Sequence, residues 1–391
     1  MKEAVIVSAT RTPVGKFGGA LKDMSASKIG AVAIREAVRR ARIDPKEVEE
    51  CIMGNVISAG LGQNPARQAA LWGGLTDQVS ALTINKVCGS SLKAAMLAAD
   101  SILAGRQKVI VAGGMESMTN APYLLEKARF GYKLFDSTLV DSMVRDGLWE
   151  AFNNYHMGNT GEIVAQRHGI SRVDADKFAL WSHQKAAKAI KSGAFKEEIV
   201  HVEIPSKKEV SLFSVDEGPR EDSSLEALAK LKPVFKSDGV LTAGNSSSIN
   251  DGASALVVMD SEFAREKGLH PLVKIVDYVT AGVKPELIME APIDATKKLL
   301  DRNKLQISDI DLFEHNEAFS TASIAVMKSL GVPEDRFNVN GGAVALGHPI
   351  GCSGARVMTT LIYAMRSRNA KRGIATLCLG GGNAVAMLVE Q

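Results

Sequence analysis

Two cysteines and a histidine carry the chemistry this sequence offers. Cys88 stands in V-C-G-S-S (87–91), Cys378 in T-L-C-L-G-G-G (376–382), and His348 between them in G-G-A-V-A-L-G-H-P-I-G-C-S-G-A-R (341–356). Each cysteine follows an apolar run and enters a turn of small residues. Residues 82–85 read as a strand, and Leu92, Ala95, Met96, Ala99, Ile102 and Leu103 then recur at helical spacing up to Gly105, which fits a C-cap. Cys88 therefore precedes a helix, where the positive end of the macrodipole favours thiolate, and a lowered thiol pKa is expected. A nucleophile at a strand-to-helix turn, with an imidazole to take its proton and a second thiol nearby, suits acyl transfer. Taken singly, each residue has a blander reading: a buried thiol is usually structural, and an isolated histidine more often serves as a hydrogen-bonding group.

The elements that must position these groups follow from composition and periodicity. A chain of 391 residues exceeds one ordinary core and suggests two or three packed units. With 46% hydrophobic and 23% charged residues it reads as a globular α/β protein. The balance of 47 basic against 44 acidic residues, net +3, implies no nucleic-acid surface, although local basic groups can still meet an anionic ligand. Four cysteines without metal-ligand spacing fit a reducing compartment. Seven scattered histidines contain no H-E-x-x-H, and no G-x-G-x-x-G follows the first strand, so neither a metal nor a nucleotide cofactor is expected. The opening M-K-E-A-V-I-V-S-A reads as a strand instead of a targeting peptide, and no apolar run reaches the roughly 18 residues of a membrane span. The expected location is cytoplasmic.

Strands and amphipathic helices alternate through the first 118 residues, the pattern of a sheet with crossover helices. Residues 4–9 form a strand candidate, and the helix from Ser27 puts Ile29, Val32, Ala33, Ala37 and Ala41 on one face. Asn64-Pro65 offers a cap and a first-turn proline, and residues 109–112 read as a buried strand ending at Gly113-Gly114. The last third repeats this order. Asn55 after E-C-I-M-G answers to Asn316 after L-F-E-H, the turn and helix from Cys88 to 351–353 and the helix that follows, and the strand at 109–114 to that at 375–381. Residues 255–259 likewise answer to 384–389. The halves meet near residue 268, giving 1–118 plus 250–268 as one and 269–391 as the other. Residues 119–249 have no counterpart and read as an insertion. It holds a helix that starts in S-R-V-D (171–174), a capping-box signal, and ends at Gly193, and also the polar stretch 205–224. Insertions on a rigid scaffold commonly bind ligands.

Beyond the cysteine and histidine segments, R-T-P-V-G-K-F-G-G (11–19), G-G-M-E-S-M (113–118), Y-H-M-G (155–158), L-T-A-G-N-S-S-S-I-N-D-G-A (241–253) and N-E-A-F (316–319) form an ordered series over the whole chain. In these residues the sequence resembles the thiolase family. The resemblance implies two duplicated βαβαβαββ halves packed as a five-layer α-β-α-β-α sandwich, with the insertion as a loop domain that covers coenzyme A and joins tetramer contacts. It implies that Cys88 becomes acylated by a thioester. His348 would act as base and as a donor to the enolate oxygen, Cys378 would move the α-proton, and Asn316 would position a water beside His348. Asn316 alone reads equally well as a helix cap. The backbone N–H groups of Cys88 and Gly380 are implied as the oxyanion hole of the tetrahedral intermediate. Matching positions place His156, Met157, Phe235, Ala318 and Phe319 at the acyl pocket, Ser247 near the pantetheine arm and Arg220 near the nucleotide, with Ala243 also among the substrate- or CoA-binding residues. The implied substrates are acetyl-CoA, acetoacetyl-CoA and coenzyme A, with no further cofactor, and the implied assembly is a homotetramer.

Two departures from the family pattern stand out: Ala384 where a further glycine is usual, and I-M-E-A-P (288–292) where a glycine-rich version is common. The second bears on acyl-chain preference. Cys51 and Cys352 read as structural. The competing activities are a 3-ketoacyl-CoA thiolase of broader range and a thiolase-like scaffold that binds acyl-CoA without turnover; a β-ketoacyl synthase would pair one cysteine with two histidines.

Overall fold

The computed structural model describes residues 2–204 and 210–391, so the segment 205–209 of the polar stretch lies outside the described residues. In the first half β1 (Ala4–Arg11), β2 (Glu50–Gly54), β3 (Ser80–Ile84), β4 (Val109–Ser117) and β5 (Asn250–Asp260) lie in the order β1-β5-β4-β2-β3. The helices α1 (Ala26–Ala41), α2 (Pro65–Trp72) and α3 (Ser90–Leu103) connect them. Between β4 and β5 runs the insertion, whose long helix α4 (Arg172–Ser192) starts at a Ser171–Asp174 capping box and stops at left-handed Gly193.

The second half repeats this plan. Its strands β6 (Val273–Gly282), β7 (Leu312–His315), β8 (Arg372–Leu379) and β9 (Asn383–Glu390) lie in the order β6-β9-β8-β7, and a parallel bridge from Phe313 to Phe337 stands where β3 does in the first half. Helices α5 (Ala291–Asn303), α6 (Ser320–Leu330) and α7 (Ser353–Arg368) match α1, α2 and α3. Strand directions agree pair by pair: β1 and β6 are antiparallel to β5 and β9, while β2 and β7 are parallel to β4 and β8. The two first strands also touch, through Val5 opposite Lys274 and Ile6 opposite Val273.

Alternation along the strands sorts side chains between layers. In β1, Val5 and Val7 face a cluster with Ile29, Ala33 and Ala69 of α1 and α2. Ala4 and Ile6 face the opposite cluster, where α3 (Leu92, Met96) meets α7 (Val357, Leu361) and β8 (Leu377). On the far side Leu299 of α5 and Ile324 of α6 cover Ile374 and Leu388. Helices, sheet, helices, sheet, helices is the resulting five-layer order.

Two sequence expectations need correction. β4 runs through Gly113 and Gly114 to Ser117 instead of ending there. These glycines mark close approach: a Cβ on Gly113 would sit 2.2 Å from the Ser254 carbonyl oxygen, and one on Gly114 2.1 Å from that of Gly351. The helix after N-E-A-F begins at Ser320 with Phe319 at its N-cap, so Asn316 is not a cap.

Arg11, from the R-T-P segment, ties the insertion to β1. Its buried guanidinium donates to Asp216 at 2.7 and 2.9 Å and to Glu198 at 2.5 Å. Removing one partner of such a buried pair typically costs about 3–5 kcal/mol.

Candidate active site

Cys88 sits just outside α3, which starts at Ser90 with Gly89 at the N-cap. The turn before it is strained: Val87 has φ +48°, a conformation that β-branched residues rarely adopt. Two contacts hold it, because the Ser90 hydroxyl donates to the Val87 carbonyl at 2.6 Å and accepts from the Lys86 N–H at 2.8 Å. Strain stored at a turn that aims one side chain is a mark of a functional position.

Cys378 lies near the end of β8, buried, with its sulfur 3.8 Å from the Met289 sulfur. The turn 380–382 follows, and Gly381 and Gly382 take φ of +83° and +80°, which only glycine adopts without strain. Gly380 packs over Val87, so the C-L-G-G-G turn of one half closes against the V-C-G turn of the other.

His348 reaches the same space from the long connection before α7. Its backbone N–H donates to Asn250 Oδ1 at 2.9 Å, and its Nδ1 is 2.6 Å from the Ser353 hydroxyl. Ser353 Oγ in turn donates to the Pro349 carbonyl at 2.9 Å. With that proton spent, Ser353 accepts from Nδ1–H, and Nε2 is the unprotonated nitrogen that faces the cavity; the tautomer is assigned from this network. Asn316 Nδ2 lies 3.3 Å from Nε2, and Asn316 is fully buried behind the histidine.

Cys88, His348, Cys378 and Gly380 all line one cavity of about 1020 Å³. The positions expected at the acyl pocket, His156, Met157, Phe235, Ala318 and Phe319, line it as well. Ala243, Ser247 and Arg220 continue the lining outward. Phe235 is clamped between His156, stacked at 4.8 Å, and Phe319, edge-on at 5.7 Å. His156 Nδ1 accepts from the Gly158 N–H at 3.0 Å, which leaves Nε2 free. Asn316 is the exception: it touches the site through His348.

The electrostatics overturn one expectation. Burial pushes the Cys88 thiol above its ordinary pKa, and the neighbouring Cys378 and Glu116 push the same way. Hydrogen bonds from the N–H groups of Cys88 and Gly380 to the sulfur oppose this without reversing it. Desolvation outweighs these donors, a direction opposite to the lowering expected from the helix terminus. Burial also raises Cys378 to about 12 and lowers His348 to about 3, the latter helped by Arg356. At neutral pH the resting site holds two thiols and a neutral imidazole, so proton transfer must accompany each bond-forming step.

The profile of "Thiolase, N-terminal domain" matches residues 4–262, and that of "Thiolase, C-terminal domain" matches residues 269–391. The chain belongs to the thiolase family. Among thiolases it is 53% identical over 392 aligned positions to a protein of Escherichia coli (strain K12) named acetyl-CoA acetyltransferase, covering 100% of each chain. It is 50% identical to one of the same name from Cupriavidus necator (strain ATCC 17699), again over 100% of each. The crystal structure of the Bacillus anthracis acetyl-CoA acetyltransferase superposes with a TM-score of 0.98 at 42% identity, covering 100% of this chain and 99% of that one.

Several contributors to this thiolase site carry no signal in the local sequence. Ser353 orients the imidazole five residues from His348, a spacing set by a turn that no periodicity reveals. Met289 faces the Cys378 sulfur from within I-M-E-A-P. His183, on α4, accepts the Arg220 N–H at 3.2 Å and lines the outer cavity; burial and Arg220 lower it to about 4. Glu116, inside the quoted G-G-M-E-S-M, is fully buried next to the histidine loop. The described residues contain no group of three or more His, Cys, Asp or Glu that could hold a metal ion, and no helix among them is long and apolar enough to cross a membrane.

Proposed function

We propose that this thiolase is an acetyl-CoA C-acetyltransferase that condenses two acetyl-CoA reversibly to acetoacetyl-CoA and coenzyme A through an acetyl-Cys88 intermediate. The observation that carries the reading is the convergence of two thiols and an Nε2 lone pair on one cavity. The Cys88 proton passes to His348 Nε2 as the sulfur attacks the thioester carbonyl. The carbon–sulfur bond to coenzyme A breaks, and His348 returns the proton to the leaving sulfur. The hydrogen bonds of the Cys88 and Gly380 N–H groups to this sulfur support their reading as the oxyanion donors.

In the second half-reaction the α-proton of another acetyl-CoA goes to Cys378, whose own proton has moved to His348. The imidazolium then donates from Nε2 to the enolate oxygen, with Asn316 beside it. The enolate carbon bonds to the acetyl carbon, Cys88 sulfur departs and takes the proton from His348, and every atom is accounted for. A thiol raised to about 12 makes a strong base once ionised, matched to a weakly acidic carbon.

Phe235, Phe319 and Met289 crowd the acyl end, which favours short chains. Thiolytic kcat/KM across 3-ketoacyl-CoA substrates tests this: acetoacetyl-CoA is expected to lead. Preference for chains beyond four carbons would instead indicate a broad 3-ketoacyl-CoA thiolase. We infer further that the active form is a homotetramer located in the cytoplasm and that coenzyme A thioesters act without an added cofactor. Sedimentation of the purified protein tests the assembly.

A further inference from the structure

The strand registers of the two halves give the α-proton base an unexpected counterpart. Gly54 pairs with Gly114 as His315 pairs with Thr376, and Glu116 and Cys378 lie two residues beyond those partners. Across the next strand, Gly252 faces Glu116 as Ala384 faces Cys378. Asn55 then corresponds to Asn316. Gly351, one residue before the N-cap of α7, corresponds to Cys88 before that of α3. The molecule thus contains a duplicate of its own site, built from Asn55, Glu116 and Gly351.

That duplicate is filled by the Glu116 carboxylate. Oε1 accepts from Asn55 Nδ2 at 2.8 Å and from the Ile57 N–H at 3.2 Å; Oε2 accepts from the Val56 N–H at 3.0 Å and the Gly351 N–H at 2.9 Å. Four N–H donors reach its two oxygens, a set that an ionised, acceptor-only carboxylate satisfies. Gly351 belongs to the same short connection as His348 and Ser353, so the carboxylate grips the histidine loop from the opposite half. The side chain is fully buried, and it faces the Cys88 and Cys352 thiols and the Asp251 carboxylate.

We infer that Glu116 is a positioning residue of the acyl-transfer step, holding the His348–Ser353 loop in register with Cys88 through its bond to Gly351. Burial, with Asp251 adding, raises Glu116 to about 7. Protonation puts an O–H among four donors and breaks the grip, so activity falls as pH drops through that value. His348, lowered to about 3, and the thiols, pushed up by burial, lie outside this window; Glu314 and Lys185, each shifted to about 8, do not line the cavity, so loss of the limb in Glu116→Gln is what assigns it.

The inference rests on the roles given above to Cys88 and His348, and the test separates the two. Coenzyme A release on mixing the full-length protein with acetyl-CoA is timed from pH 5.5 to 9, and the acetyl adduct is located by mass spectrometry. Glu116→Gln is expected to slow acetylation on the order of 10²-fold, to leave KM within about threefold, and to flatten the acid limb near pH 7. Gly351→Ala strikes the contact from the other side, since its Cβ would meet Glu116 Oε2 at 2.6 Å, and is expected to slow acetylation and flatten the limb likewise. It decides the matter if Glu116→Gln does not fold. An unchanged acid limb in the folded variant, or a rate loss no larger than its loss of folded protein, overturns the inference. Absence of an acetyl adduct in the unsubstituted protein overturns the functional reading instead.

Discussion

The two halves present matching strand ends that have been put to different uses. In the second half β8 brings Cys378 to a cavity of about 1020 Å³, and β7 leads to Asn316 behind the His348 that lines it. In the first, β2 and β4 bring Asn55 and Glu116 to the same relative positions, and four hydrogen bonds fill the space. The connections differ in the complementary sense. β8 and β9 are joined by the turn 380–382, whereas β4 and β5 are separated by the whole insertion, which helps roof the cavity. The run from the Phe337 bridge to α7 is long enough to carry His348, whereas that from β3 to α3 is a tight turn that aims Cys88. The scaffold therefore fixes where chemistry can occur; side-chain type and loop length decide at which end it does.

Exchanging nucleophiles between the halves is the severest trial of this contrast. Cys88→Ala is expected to lower condensation on the order of 10⁴-fold or more. Adding Gly351→Cys to it should restore nothing, because the Glu116 oxygen already occupies the space a Cβ needs. Recovered turnover, measured by coenzyme A release, would show the duplicate to be open. Next in size is Cys378→Ser, which should cut condensation by about 10²–10⁴-fold while Cys88 is still acetylated. Equal loss of both half-reactions would deny Cys378 its separate task.

The asparagines sharpen the comparison further. Asn316→Ala should cost roughly 10²–10³-fold in kcat, as loss of an oxyanion-side donor does. Asn55→Ala should cost less than about tenfold in kcat and instead lower unfolding free energy by about 1–2 kcal/mol, since a buried acceptor loses a donor. Steady-state rates and urea titrations distinguish the two.

A smaller effect reads the electrostatics. With the Cys88 thiol raised, only its ionised fraction alkylates, so the iodoacetamide rate should climb roughly tenfold per pH unit and show no plateau below pH 9. A plateau near neutral pH would mean that the helix terminus dominates after all. Smallest of all, Ser171→Ala removes the α4 cap, a residue that does not line the cavity, and should cost about 1 kcal/mol in thermal unfolding with kcat unchanged.

Much of the fold was legible because it rests on local signals. The caps at Asn64 and Ser171, the stop at Gly193 and the small-residue turns at both cysteines are written in single residues, and the structure has each. The repeat of order between the halves was legible for the same reason. What escaped depends on distance in space. The extension of β4 through Gly113-Gly114 reflects the nearby Ser254 and Gly351 carbonyls, which no local pattern announces. For the Cys88 pKa, a helix N-terminus can be read from sequence, whereas the desolvation and the neighbouring Cys378 and Glu116 that push the thiol up cannot. Ser353 and Glu116 act through hydrogen bonds to a loop whose path is set by both halves at once.

The division of labour between the two sulfurs is tested most directly by incubating Cys378→Ser with acetyl-CoA and mapping the adduct by peptide mass spectrometry. One acetyl group per chain on the peptide containing Cys88, stable when more acetyl-CoA is added and removed by coenzyme A, is the predicted result. An unmodified Cys88, or an acetyl group found on any other residue, would contradict it.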